Sequence, residues 1–106
     1  MASGLLAQAI LTATTSTTAY TAPVGKTASI TVSFCNQNSS DSAKVRLSLT
    51  SLSTATANSY LEYDANIPPN GILERGALVV GSSQNIIVRA TSSDVSVIVY
   101  GIEESN

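Results

Sequence analysis

The strongest constraint on this chain lies in residues 20–36, YTAPVGKTASITVSFCN, where apolar and polar side chains alternate with a period of two. Ile30, Val32 and Phe34 fall on one side of an extended backbone, while Ser29, Thr31, Ser33 and Cys35 fall on the other. Only a half-buried strand sorts them this way. In front of it Pro23, Gly25 and Lys26 spell a tight turn, because Pro restricts φ and Gly tolerates backbone angles that other residues resist. The polar run from Asn36 to Asp41 closes it behind.

The same alternation recurs along the chain. Over residues 43–50, Val45, Leu47 and Leu49 oppose Lys44, Arg46, Ser48 and Thr50, and a hairpin with the preceding strand is expected through the 36–42 segment. Ser51 to Ser59 is small, polar and aperiodic, hence a loop. Residues 59–63 set Tyr60 and Glu62 opposite Leu61 and Tyr63 before Ile67-Pro68-Pro69-Asn70-Gly71 forbids regular pairing. Ile72 to Val80 resumes extended structure with Gly76 as a candidate bulge. Residues 85–90 and 95–102 read as two further strands, joined by a Thr91-Ser92-Ser93-Asp94 turn that suits a closing hairpin. At the start, the apolar residues of 1–10 run into a Thr-rich segment that favours extended backbone. An N-terminal arm over residues 1–10 is expected, leading into a first strand or pair of strands between residues 8 and 21. The chain of 106 residues fits one domain. About seven to nine short strands with regularly spaced turns predict an all-β, antiparallel β-sandwich of jelly-roll-like topology over residues 11–106.

Residues 95–102 are apolar on both sides, with Val95, Val97 and Val99 on one and Ile98, Tyr100 and Ile102 on the other. The second side is covered by the N-terminal segment or a loop, or it meets another chain. Ile87, between Ile86 and Val88, repeats the feature. Charged residues make up 11% of the chain, against about 25% in ordinary soluble domains. So little charge predicts oligomerisation or docking on a larger body.

Several classes of chemistry are disfavoured. A net charge of −2 offers no attraction to phosphate backbones or anionic lipid, so neither nucleic acid nor a membrane is an expected partner. The MASGLLAQAIL start lacks a basic region, and Gln8 interrupts its short apolar stretch, so no secretory signal or membrane span is expected. With no His in the chain, Ser-His-Asp and Cys-His mechanisms lack their base and the usual zinc sets cannot be assembled. Cys35, the single cysteine, has no basic neighbour to lower its pKa and reads as an inert thiol. Gly25-Lys26-Thr27 resembles the end of a phosphate-binding loop, but position 20 is Tyr where that motif needs Gly, and a strand follows where it needs a helix. Glu62, Asp64 and Glu74 invite comparison with glycosidase carboxylates, and Asp64, Asn66 and Asn70 with a calcium loop, yet neither spacing forms a strong motif. No catalytic residue, metal or cofactor is expected.

Five segments, GLLAQA, YTAPVGKTASITVSFCN, AKVRLSL, YLEYDANIPPNGILERGALVVGSSQNIIVRA and VSVIVYGIEE, together resemble small virion structural proteins of tailed bacteriophages. The matching positions are Tyr20, Pro23, Gly25 and Lys26, then Cys35 and Asn36, then Tyr60, Glu62, Tyr63 and Asp64. They continue with Pro69, Asn70, Gly71, Leu73, Glu74 and Arg75, and end with Tyr100, Gly101, Glu103 and Glu104. The resemblance implies a β-sandwich component of the virion. The expectation built on it is a capsid decoration, or cement, protein, a homotrimer made in the host bacterial cytoplasm. It would bind on the capsid surface between major capsid protein subunits and stabilise the expanded head. On that reading Leu5, Leu6, Ile10 and Leu11 contact the capsid, and Ile87, Ile98, Tyr100 and Ile102 contact neighbouring protomers. The alternatives are a tail, baseplate or fibre component, or a carbohydrate-binding module on a host-facing spike that uses Tyr60, Tyr63 and Glu62.

Overall fold

The period-two stretches become strands in a computed structural model that describes residues 2–106. In chain order they are β1 (Ser3–Ile10), β2 (Thr17–Thr21), β3 (Lys26–Asn36), β4 (Ala43–Thr50), β5 (Tyr60–Ile67), β6 (Ile72–Val80), β7 (Asn85–Ala90) and β8 (Val95–Ser105). They form two four-stranded sheets, β1-β8-β3-β6 and β2-β7-β4-β5, with every pairing antiparallel. This is a β-sandwich with jelly-roll wiring. β1 pairs with β8, β2 with β7, β3 with β6 and β4 with β5, as if one long hairpin turning at 51–59 were rolled until β8 met β3 and β7 met β4.

Two expected hairpins are corrected. β3 and β4 lie in opposite sheets, as do β7 and β8, so the 36–42 and 91–94 segments cross between layers. A short polar connection permits either outcome, and the distant partner decides. β3 pairs along its whole length, Lys26–Asn36, with Val95–Ser105 of β8, while β4 finds β7 from Val45↔Ala90 to Thr50↔Asn85. The expected arm over residues 1–10 is corrected too. Met1 lies outside the described residues, but Ser3–Ile10 run along β8 from Ser3↔Ile102 to Ile10↔Ser96, so the sandwich starts at residue 3. Without β1, one side of β8 would present a row of unpaired backbone groups.

The core lies between the sheets and follows the alternation. β3 contributes Ala28, Ile30, Val32 and Phe34, β8 contributes Val95, Val97 and Val99, and they face Val45 and Leu47 of β4 and Ile86 and Val88 of β7. Phe34 is fully buried, which stabilises the fold by about 1.5–3 kcal/mol relative to an exposed ring. A bulge between Leu5 and Ala7 turns both Leu6 and Ala7 toward this core.

Polar side chains tie the layers together. The Tyr20 hydroxyl of β2 donates to the Glu103 carboxylate of β8, and both residues are buried. Burial, then the hydrogen bond to Glu103 and its charge, push the phenol well above its ordinary pKa. Between β5 and β6, Arg75 Nη1 donates to Glu62 Oε2 at 2.6 Å and to the Leu61 carbonyl at 3.3 Å. Asn36, fully buried at the end of β3, donates its amide to the carbonyls of Asp41, Ile67 and Pro68 and accepts from Asn38 N–H. These bonds fix the crossing from β3 to β4.

Candidate functional site

Two outward faces carry the side chains singled out from the sequence. The first belongs to the β1-β8-β3-β6 sheet. Its register aligns Leu5, Tyr100 and Thr31 in one row and Gln8, Ile98, Ser33 and Glu74 in the next. Flanking rows hold Ile102, Ser29 and Val79 on one side and Ile10, Ser96, Cys35 and Ile72 on the other. Leu5 and Ile10 are 57% and 70% exposed, and Ile98, Tyr100 and Ile102 are 40, 39 and 38% exposed. Between these branched and aromatic groups, β3 supplies only small side chains. Glu74 is the one charged residue in these rows, and it accepts a hydrogen bond from the Tyr100 hydroxyl at 3.2 Å.

The face is furrowed as well as apolar. A groove of about 410 Å³ runs beside Gln8, Ile10, Ser96 and Ile98, and another of about 260 Å³ lies beside Thr31, Ala77 and Tyr100. The second is cut by a bulge in which Gly76 and Ala77 oppose Thr31, with Ala77 in the left-handed region at φ 59°.

Residues assigned to two different contacts therefore share one surface: Leu5 and Ile10 sit beside Ile98, Tyr100 and Ile102. Leu6 is half-buried against the core, whereas Leu11 and Ile87 are only 2% and 4% exposed. Neither Leu11 nor Ile87 is available to a partner in this fold. Leu11 packs in the core, and Ile87 is buried outside the core cluster at the position opposite Thr18 and Ser48.

The second face belongs to the β2-β7-β4-β5 sheet and concentrates charge. Lys44 and Arg46 project from β4 on the side opposite the buried Val45 and Leu47, and Arg46 is the direct cross-strand partner of Arg89 on β7. On β5 a bulge sets Tyr63 and Asp64 together against Arg46, with Asp64 in the left-handed region at φ 53°. Arg46 Nε donates to Asp64 Oδ1 at 2.7 Å, and the guanidinium stands 4.2 Å from the Tyr63 ring centre. The hydrogen bond from Arg46 holds the Asp64 carboxyl below its usual pKa, and the charges of Arg46, Lys44 and Arg89 act in the same direction. Sequence alternation could not reveal this grouping, because the bulge breaks the period and the β4–β7 register unites residues from distant parts of the chain.

The remaining candidates do not converge. Tyr60 and Tyr63 meet edge to face at 4.9 Å, but Arg46 lies over the Tyr63 ring and Glu62 turns away to Arg75, so the three do not make a shared platform. Glu62, Asp64 and Glu74 engage Arg75, Arg46 and Tyr100 respectively, each at a different place. Among the described residues no three His, Cys, Asp or Glu side chains gather as metal ligands. Gly25 and Lys26 form a turn, with Gly25 N–H donating to Ser82 Oγ and Lys26 N–H to the Pro23 carbonyl. No helix among the described residues is long and apolar enough to cross a membrane. No protein-family model matches the chain, and a search of curated proteins finds no match.

Proposed function

We propose that this chain is a structural component of a tailed-phage virion, a capsid decoration protein that binds between major capsid subunits and associates with copies of itself as a homotrimer. The observation that carries the reading is the outward face of the β1-β8-β3-β6 sheet. It is furrowed, apolar and almost free of charge, as a surface suited to burial against other chains must be. Leu5 and Ile10 at its rim serve the capsid contact, and Ile98, Tyr100 and Ile102 near its middle serve the contact between protomers. The jelly roll agrees with the proposal at the level of fold analogy, because capsid domains use it alongside lectins and cupins. A ligand that binds only the expanded lattice stabilises it by RT ln(1 + [L]/Kd), so no bond-making chemistry is required.

Electron microscopy of purified particles tests the location. Density repeated over the head, at hundreds of copies per particle, supports decoration, while density confined to the tail replaces it with the tail-component reading. Sedimentation tests the surface. Ile98→Glu, on an exposed position outside the core, is expected to dissociate the trimer and abolish head binding while the monomer still unfolds cooperatively, at a temperature that no longer depends on concentration. A wild-type protein that stays monomeric at micromolar concentration and ignores expanded heads would sink the proposal.

A further inference from the structure

We infer that the shallow pocket between β4 and β7, on the outward face of the β2-β7-β4-β5 sheet, is a binding site for an oxyanion carried by an acidic ligand. Arg89 and Lys44 are its free donors and Arg46 is its back wall. The pocket holds about 120 Å³ and is lined by Lys44, Arg46, Asp64, Arg89, Ala90 and Thr91. Its floor is rigid, because Lys44 N–H donates to Thr91 Oγ1 at 3.0 Å and Thr91 N–H returns the bond to the Lys44 carbonyl at 3.0 Å.

Four observations point to an anion as the ligand. Arg46 and Arg89 are direct cross-strand partners, a placement that costs stability when the charges are alike. Asp64 answers only part of that charge, and it does so through a bulge and a left-handed backbone. Among the described residues neither the Arg89 guanidinium nor the Lys44 ammonium has an ion-pair partner. The concentration is also local: this pocket sets three cations against one carboxylate, whereas the rest of the chain sets two cations against six. A site that breaks a pairing rule with only partial internal compensation is where a ligand is expected to supply the missing charge. An Arg fork beside a Lys ammonium matches the geometry of a carboxylate, sulfate or phosphate group.

The test is an NMR titration of isotope-labelled protein at low salt with sulfate, phosphate, glucuronate and, as the uncharged control, methyl glucoside. Saturable shifts at the Lys44, Arg89 and Thr91 amides are expected with the anions and none with the glucoside. Arg89→Gln is expected to weaken binding by about tenfold or more. Asp64→Asn, which frees the Arg46 fork, is expected to tighten it severalfold. Lys26→Gln removes the same charge from the other sheet and is expected to change affinity by less than about twofold. Arg89→Gln should melt no lower than the parent, since it relieves a like-charge pair, so lost binding cannot be read as unfolding. Tighter binding of glucuronate identifies an acidic sugar as the ligand source, and tighter binding of sulfate or phosphate identifies a tetrahedral ion. No saturation by any anion below about 50 mM, or equal weakening by Lys26→Gln and Arg89→Gln, overturns the site.

Discussion

Replacing Gly101 with Ala tests the closest approach in the sandwich. Gly101 sits in β8 opposite Ile30 of β3, with φ at +153°, and a Cβ there would overlap the Ser29 carbonyl oxygen and lie 2.8 Å from the Ile30 Cα. Both obstacles are backbone, so no side-chain rotation relieves them, and β3 must separate from β8 at the centre of its sheet. An L-residue at positive φ costs about 1–2 kcal/mol, and the loss of one or two ladder hydrogen bonds adds about 1 kcal/mol each. Displaced core contacts from Ile30 and Val99 bring the expected loss to about 3–5 kcal/mol. For a domain of this size that lowers Tm by roughly 15–30 °C. Gly25→Ala provides the control, because Gly25 also has positive φ (+80°) but open space around its Cβ position. It should lose only the backbone part, about 1–2 kcal/mol. Urea unfolding of the three proteins, with m-values compared to establish a common unfolded state, measures both terms. A Gly101→Ala variant no less stable than Gly25→Ala would refute the β3–β8 register and the close approach on which the argument depends.

Other perturbations probe the ties between the layers. Tyr20→Phe leaves the Glu103 carboxylate buried without its donor, and chemical denaturation should show a loss of about 1–3 kcal/mol. Because Tyr20 ionises at higher pH in the folded chain than its ordinary value of 10.0, its contribution is complete below that pH. It is lost above it, at up to about 1.4 kcal/mol per pH unit. Stability measured between neutral pH and pH 11 should show this alkaline decline in the parent and a shallower one in Tyr20→Phe. Asn36→Ala strips three carbonyls of a donor and should cost about 2–4 kcal/mol. Asn36→Asp should not rescue it, since a carboxylate cannot donate. The Glu62–Arg75 pair is partly exposed, so a double-mutant cycle should give a coupling of no more than about 1 kcal/mol that fades with salt.

Strand existence was largely legible because it is a local property. β4 and β6 occupy Ala43–Thr50 and Ile72–Val80, where alternation and bounding turns had marked them. Sheet membership is not local. A strand with one apolar side fits either layer equally well, so 36–42 and 91–94, which read as hairpin turns, became crossings once β8 and β7 claimed β3 and β4. The opening residues misled for a related reason: β1 has weak alternation because its bulge turns Leu6 and Ala7 the same way, and its partner lies at the far end of the chain. The apolar second side of β8 was visible as a feature of the sequence, but the union of Leu5 and Ile10 with it depended on the β1–β8 register. Ile87 shows the reverse error, in which an apolar side chain on an outward position is buried all the same. The cationic pocket left only a faint trace, two basic residues at a period of two on β4. Arg89 joins them solely through the β4–β7 pairing, and Tyr63 and Asp64 solely through an irregularity in β5.

Because β8 occupies an interior place in its sheet, between β1 and β3, the order of synthesis runs against the order of assembly. β1 is synthesised well before β8, and until β8 follows, β1 offers exposed backbone that a neighbouring nascent chain can capture. Deleting residues 95–105 would leave β1 and β3 on either side of a gap, whereas a peptide matching those residues supplied separately should restore the missing ribbon.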